Sequence, residues 1–134
     1  DEYESKVNEL ENKGLIKYHG FQKNVVPFIQ NCNCVVLPSY HEGMANTLLE
    51  SASIGRPIIT SNIHGCMESI IDGKSGYLAN VCDKEDLYLK MKKFIELPYD
   101  EKVEMGKVAR KHMEDNFDKK AVVAETIKII GCTD

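Results

Sequence analysis

The sequence predicts an α/β domain with a mostly parallel sheet flanked by helices. Two observations carry this expectation. The runs 34-CVVL-37, 57-PIIT-60 and 77-YLA-79 are short and largely apolar, as suits strands buried on both faces of a parallel sheet. They alternate with segments whose apolar residues recur at helical spacing, and that alternation indicates α/β architecture.

Taken in order, residues 2–13 read as a helix, with Val7 and Leu10 on one side and Gly14 as the stop. No start signal precedes it, so the chain opens as a fragment of a larger protein would. The segment 15-LIKYHG-20 is short and β-prone. Residues 24–31 suggest a short helix with Pro27 in its first turn. After 34-CVVL-37 and a loop, residues 45–54 form a helix closed by Gly55 with Pro57 beyond it. Residues 66–71 read as a short helix, 72-DGKSG-76 as a turn and 77-YLA-79 as the last strand. The rest is helical: 84–97 with Leu87, Met91, Phe94 and Ile95 at helical spacing, a helix capped by Asp100 that carries Val103, Met105, Val108 and Ala109, and a final helix around 119–130. Met91, Met105 and Met113 are expected to be core residues.

The chain has 134 residues, enough for one domain with a core, and 43% hydrophobic and 28% charged residues, as in soluble globular proteins. A net charge of −4 without runs of one sign argues against nucleic acid as a partner. No apolar stretch approaches the roughly 20 residues that span a bilayer, and 1-DEYESKVNEL-10 is too acidic for a signal peptide. Cys32, Cys34, Cys66, Cys82 and Cys132 are irregularly spaced, which reads as reduced thiols of a cytoplasmic protein rather than a metal site.

Ligands of open α/β sheets sit outside the carboxyl ends of the strands. The loop after 34-CVVL-37 is such an end, and 38-PSYHEGMA-45 runs from it into a helix beginning near Asn46. Helix N-termini offer free N–H groups and a positive dipole end. Gly43 allows close backbone approach and Ala45 adds little bulk, so this loop can receive a diphosphate without a P-loop lysine. Glu42 lies in the loop; Glu50 lies about one turn inside the helix, on one face with Asn46, while Leu48, Leu49 and Ala52 are placed to pack on the sheet. By spacing alone, two glutamates eight apart are more often two solvated side chains than one site.

The surrounding motifs sharpen this. Pro-Ser-x-x-Glu-Gly, seven residues between the glutamates, then Gly-x-Pro and an apolar strand closely resemble the C-terminal domain of the group 1 (family 4) retaining glycosyltransferases. Upstream, 18-YHGF-21 is similar to the family's strand-end glycine motif; downstream, 61-SNIHGCMESIIDGKSGYL-78 is similar to its loop, short helix, Asp-Gly turn and Gly-Tyr strand. The phrasing 41-HEGMANTLLES-51 and 64-HGCMES-69 looks most like members that build capsular polysaccharide or exopolysaccharide.

The resemblance implies a Rossmann-like sheet belonging to the incomplete C-terminal half of a two-domain GT-B enzyme, with the acceptor-binding N-terminal domain and the first strands absent. It implies transfer of a hexose-type sugar, with retention, from a nucleoside diphosphate sugar to a polysaccharide or lipid-linked acceptor. No metal or other cofactor is expected, and the full-length protein is expected to be cytoplasmic or peripheral at the inner membrane face. Glu42 would be catalytic, on hydroxyls of the transferred sugar. Gly43, Met44, Ala45 and Asn46 would offer backbone N–H groups to sugar and diphosphate, with Thr47 and Leu48 nearby. Glu50 would hold the ribose, and Gly20, Phe21 and Gln22 would lie against the base. A binding module without catalysis and a nucleotide-sugar epimerase of similar fold are the alternatives.

Met44 and Ala45 stand where many relatives have Phe-Gly, which leaves the donor sugar open. The family's diphosphate-clamping Arg/Lys pair falls before Asp1. So do two strands that the family topology inserts between 15-LIKYHG-20 and 34-CVVL-37, leaving a gap, a repacked edge or pairing with a second copy. Of the four histidines, His41 and His64 fall in site loops, and His112 reads as a surface residue. Lys23 and Arg56 could bring charge near the phosphates, although Arg56 fits a helix-end cap better. Ser39 lacks an elbow motif and a base, which excludes a hydrolase triad.

Overall fold

The computed structural model describes residues 1–40, 43 and 45–117. Its elements, in chain order, are α1 (Glu2–Asn12), α2 (Val26–Gln30), β1 (Val35–Leu37), α3 (Asn46–Ser53), β2 (Ile58–Ser61), a 3-10 turn (Met67–Ser69), β3 (Gly76–Ala79), α4 (Lys84–Ile95) and α5 (Tyr99–Asn116). The helix expected around 119–130 lies outside the described residues.

The strands form a three-stranded sheet in the order β1-β2-β3, parallel throughout, with Val36 beside Ile59 and Ile59 beside Tyr77. Successive residues of β2 face opposite sides. Ile58 joins Leu48, Ala52, Cys66, Ala109 and Met113 between the sheet and helices α3 and α5. Ile59 joins Tyr77, Phe94 and Met105 on the other side, where α4 lies. Strand β2 is buried along its whole length, as its uniformly apolar start predicts. Strand β1 departs from the expected burial on both faces: Val36 is 36% exposed. It shares the face of Ile59, and the cluster under α4 reaches Cys34 but not Val36.

The β-prone segment 15–20 forms no strand. Its N–H groups turn back onto α1, Leu15 donating to Leu10 O at 3.0 Å and Tyr18 to Glu11 Oε1 at 3.1 Å. A strand exists only with a ladder partner; among the described residues β1 pairs with β2 alone. Leu15, Ile16, Tyr18 and Phe21 are left exposed.

Helix α1 does have a start signal. Asp1 accepts the Glu4 N–H at 2.8 Å, and Glu4 reaches back to the Asp1 amine, so Asp1 fills the role of the Ser or Thr of a capping box. None of its residues is fully buried. Helix α2 carries its proline in the first turn as expected.

The turn after the 3-10 segment is held by Asp72, whose Oδ1 accepts the Leu78 N–H at 3.0 Å, and by the Gly73 N–H on Gly76 O at 2.8 Å. A Cβ on Gly76 would fall 1.8 Å from Ile58 O, so only glycine lets β3 approach β2 at this point.

Asp83 caps α4 by accepting the Asp86 N–H at 3.0 Å. The Asn80 N–H on Asp86, 2.7 Å from Oδ2, together with Lys90, holds that carboxyl below the usual carboxylate range. Only Phe94 of α4 is fully buried, while Met91 and Ile95 are 38% and 68% exposed. Helical spacing identified the face but not its width: Phe94 packs against Ile59 and Tyr77 of the sheet and Met105 of α5, while Met91 and Ile95 stay largely outside that contact. Met105 and Met113 are core residues as expected, whereas Met91 is not. Helix α5 starts two residues earlier than an Asp100 cap implies: Pro98 is the cap residue and Asp100 sits in the first turn, where its charge meets the positive helix end.

Cys32, Cys34, Cys66 and Cys82 are free thiols, and Cys132 lies outside the described residues. Burial pushes the Cys34 thiol up to about 12 and raises Cys32 as well, so both stay protonated near neutrality. Among the described residues, no helix is long and apolar enough to cross a membrane.

Candidate donor-binding site

The three strands point their carboxyl ends the same way, so the segments after Leu37, Ser61 and Ala79 gather on one side of the domain. Helix α3 begins there. Its first-turn backbone has no side-chain cap, and Ala45, the cap residue, is extended (φ −79°, ψ 92°). The α3 end is held instead by the neighbouring loop: the Ala45 N–H donates to Gly65 O at 3.1 Å.

The expected site residues divide sharply. Glu42 and Met44, with His41, lie outside the described residues. Gly43 is exposed, with nothing within 4 Å of the place a Cβ would occupy, which leaves room for close approach of a ligand. Ala45 is buried, and Asn46 and Thr47 are exposed at the start of α3. Leu48 is fully buried in the core beneath α3, and its N–H bonds Ala45 O at 3.0 Å. It anchors the helix rather than presenting a side chain to a ligand.

Glu50 is 9% exposed, one turn behind the helix start. Among the described residues it is the one buried side chain that carries a formal charge. Carboxylates are seldom buried unless paired or hydrogen-bonded, so the reading of Glu50 as a solvated surface glutamate does not hold. Gly20, Phe21 and Gln22 lie in an exposed loop that bonds to itself: Gln22 Nε2 donates to His19 O at 2.6 Å, and Phe21 is 93% exposed. A flat aromatic face open to solvent is what a base could stack on.

The segment 62–69 brings in Glu68, which sequence reasoning passed over. Glu68 accepts the Gly65 N–H at 2.8 Å and lies 2.6 Å from Nδ1 of the exposed His64. Backbone donors, with His64 beside them, hold its carboxyl below the usual range. His112 is not a plain surface residue. It is half-buried, with Nε2 on Glu68 O at 2.8 Å and Nδ1 beside Asn116 Nδ2 at 3.0 Å. The only sequence signal was the four-residue step from His112 to Asn116.

A cavity of about 640 Å³ lies at the other end of the sheet, lined by Arg56, Lys102, Lys107 and Arg110 among others. Three of these cations serve helix ends. Arg56 donates to Ile29 O at 3.1 Å and Gln30 O at 2.6 Å, Arg110 to Ser53 O at 2.6 Å and Lys102 to Ile95 O at 3.1 Å. They answer the negative ends of α2, α3 and α4. Arg56 thus has the expected cap role, but on α2 rather than on its own helix. Lys23 is exposed. Among the described residues, no three His, Cys, Asp or Glu side chains gather as a metal-ligand set.

Comparison with known proteins agrees with this geometry. The family of glycosyl transferases group 1 matches residues 1–112. The chain is 31% identical over 123 residues to the N,N'-diacetylbacillosaminyl-diphospho-undecaprenol alpha-1,3-N-acetylgalactosaminyltransferase of Campylobacter jejuni, covering 90% of this chain and 32% of the relative. It is 28% identical to the capsular polysaccharide biosynthesis glycosyltransferase CapM of Staphylococcus aureus, covering 75% of this chain and 26% of the relative. Among solved structures, Anabaena Alr3699/HepE in complex with UDP superposes with a TM-score of 0.78 at 18% identity, covering 98% of this chain and 36% of that one. That likeness establishes the fold. The chain therefore spans only about a third of the length of these proteins. With the family matching most of its residues, this chain belongs to the group 1 glycosyl transferases.

Proposed function

We propose that this chain is the donor-binding part of a retaining glycosyltransferase that moves a hexose-type sugar from a nucleoside diphosphate sugar to a polysaccharide or lipid-linked acceptor. The observation that carries this reading is Glu50: a buried carboxylate one turn behind an uncapped helix N-terminus, at the carboxyl ends of a parallel sheet. The relatives support it. HepE is described in complex with UDP, and the Campylobacter jejuni relative is named for transfer of N-acetylgalactosamine to a diphospho-undecaprenol acceptor.

In this reading the bond from the anomeric carbon to the diphosphate breaks, and the diphosphate leaves as an anion. In this reading N–H groups at the start of α3, that of Asn46 among them, meet the developing charge, whereas the expected donor at Ala45 is already taken by Gly65 O; stabilising charge that appears only in the transition state is what accelerates the step. Cations outside this sequence complete the clamp. Glu50 fixes the ribose, Gly20, Phe21 and Gln22 meet the base, and Glu42 works on the sugar. The domain is incomplete in this reading, and the chain alone binds donor without transferring it.

Calorimetric titration of the complete protein with UDP tests the assignment. Glu50→Ala is expected to weaken binding roughly tenfold or more, the worth of charge-assisted bonds to two hydroxyls. Unchanged affinity would remove Glu50 from the ribose. Glu42→Ala should lower turnover far more than UDP affinity; equal losses would mean that Glu42 is not specific to the sugar.

Among the described residues the outer edge of β1 is unpaired, and Leu15, Ile16, Tyr18 and Phe21 are exposed. Unpaired edges are association sites, and the isolated chain is expected to self-associate through this one. Sedimentation velocity checks this: a single monomeric species throughout the micromolar range would count against it.

A further inference from the structure

We infer that Glu68 and His112 are positioning residues that fix the N-terminus of α3, the helix end assigned above to the diphosphate; the inference rests on that assignment. A continuous line of hydrogen bonds leads from α5 to this end. Asn116 Nδ2 lies 3.0 Å from His112 Nδ1, and His112 Nε2 lies 2.8 Å from Glu68 O. The Gly65 N–H donates to Glu68 Oε2 at 2.8 Å, and the Ala45 N–H donates to Gly65 O at 3.1 Å.

The direction of each link follows from the chemistry of its atoms. The carbonyl of Glu68 only accepts, so His112 carries its proton on Nε2. Its Nδ1 then accepts from the Asn116 amide. This is one neutral tautomer with both nitrogens satisfied. The Glu68 carboxylate is an acceptor, and it takes the Gly65 N–H on one oxygen and faces His64 with the other at 2.6 Å.

The line starts from a firm support. Ala109 and Met113 of α5 are buried in the same cluster as Ala45, Leu48 and Cys66, so His112 projects from a helix that the core fixes. The line ends at a helix start that has no side-chain cap of its own. Backbone donors that must meet an anion lose their value when displaced by an ångström. Holding Ala45 through Gly65 therefore sets where the α3 N–H groups stand relative to a bound diphosphate. Ribose contact through Glu50 is independent of the line, since Glu50 lies a turn further into the helix.

The test is amide hydrogen exchange and heteronuclear NMR titration on the full chain. In Glu68→Ala and in His112→Ala, the Ala45 amide should exchange about tenfold faster or more, while the Ile58 amide, in the sheet, keeps its rate. In Glu68→Gln the amide oxygen still accepts the Gly65 N–H, and Ala45 protection should largely return. UDP should bind the two alanine variants several-fold more weakly than wild type, with uridine affinity unchanged. Faster exchange at Ala45 and Ile58 together, or equal weakening of UDP and uridine, would overturn the inference, since the residues would then be supporting the fold at large. Wild-type binding of UDP with no loss in either variant would overturn it while leaving the donor reading intact. Failure of wild type to bind UDP would overturn the donor reading, and the positioning role with it.

Discussion

Replacing Gly106 by alanine is expected to destabilise the fold by about 2 kcal/mol or more, although the same exchange in an ordinary helix interior gains roughly 1 kcal/mol. Gly106 is buried in the middle of α5. A Cβ there would lie 2.1 Å from Gly55 O and 3.1 Å from Gly55 C. Both are backbone atoms, so no side chain can swing aside. Helix α5 would have to lift from the C-terminal end of α3, and Arg110 would be drawn away from Ser53 O, which it meets at 2.6 Å. The backbone cost exceeds the propensity gain. Urea unfolding of wild type and variant by circular dichroism measures the difference. A midpoint equal to or above wild type would show that the two helices are not in backbone contact here.

That contact was not legible in the sequence, where Gly106 is one glycine in a helical pattern. What was legible depended on local chemistry. The parallel strands followed from short apolar runs, α2 from a proline in its first turn, and the bend before β3 from Asp-Gly. The helix that became α3 could be bounded by Asn46 and Gly55. Features that depend on a partner could not be read in this way. Residues 15–20 have strand composition but no ladder to join. The pattern in α4 put Leu87, Met91, Phe94 and Ile95 at helical spacing, yet only Phe94 is fully buried, against β2, β3 and Met105 of α5, which leaves Ile95 in solvent.

The candidate site divides along the same line. Its location followed from the loop after β1, and the roles of its residues followed from motif resemblance. The burial that separates Glu50 from an ordinary surface glutamate is a property of the fold. So is the contact between His112 and Glu68, which are 44 residues apart in the chain. Spacing within one helix cannot reveal a bond between two elements. Leu48, expected near the donor, has a side chain that faces the core.

Leu48→Ala distinguishes these two kinds of residue. Leu48 is 0% exposed and packs with Ala52, Ile58, Cys66, Ala109 and Met113. Truncation to alanine is expected to cost about 4 kcal/mol, within the range for fully buried leucines. Little relaxation is available. Ile58 is held in a strand paired on both sides, and Ala109 and Met113 belong to the long helix α5. A rigid surround keeps the cavity open, which places the cost toward the upper part of that range. A drop of this size in unfolding free energy, read from urea titration, is the expected result. A change within about 0.5 kcal/mol, typical of surface sites, would mean that α3 does not rest on the sheet as described. UDP affinity of the protein that remains folded should stay close to wild type, because the side chain touches the core and not the ligand. Saturating UDP should then return part of the lost stability through linkage. Glu50→Ala should show the reverse, with the larger effect on UDP affinity. If Leu48→Ala instead weakened UDP as much as Glu50→Ala, donor binding would depend on the packing beneath α3 and not on the carboxylate that α3 carries.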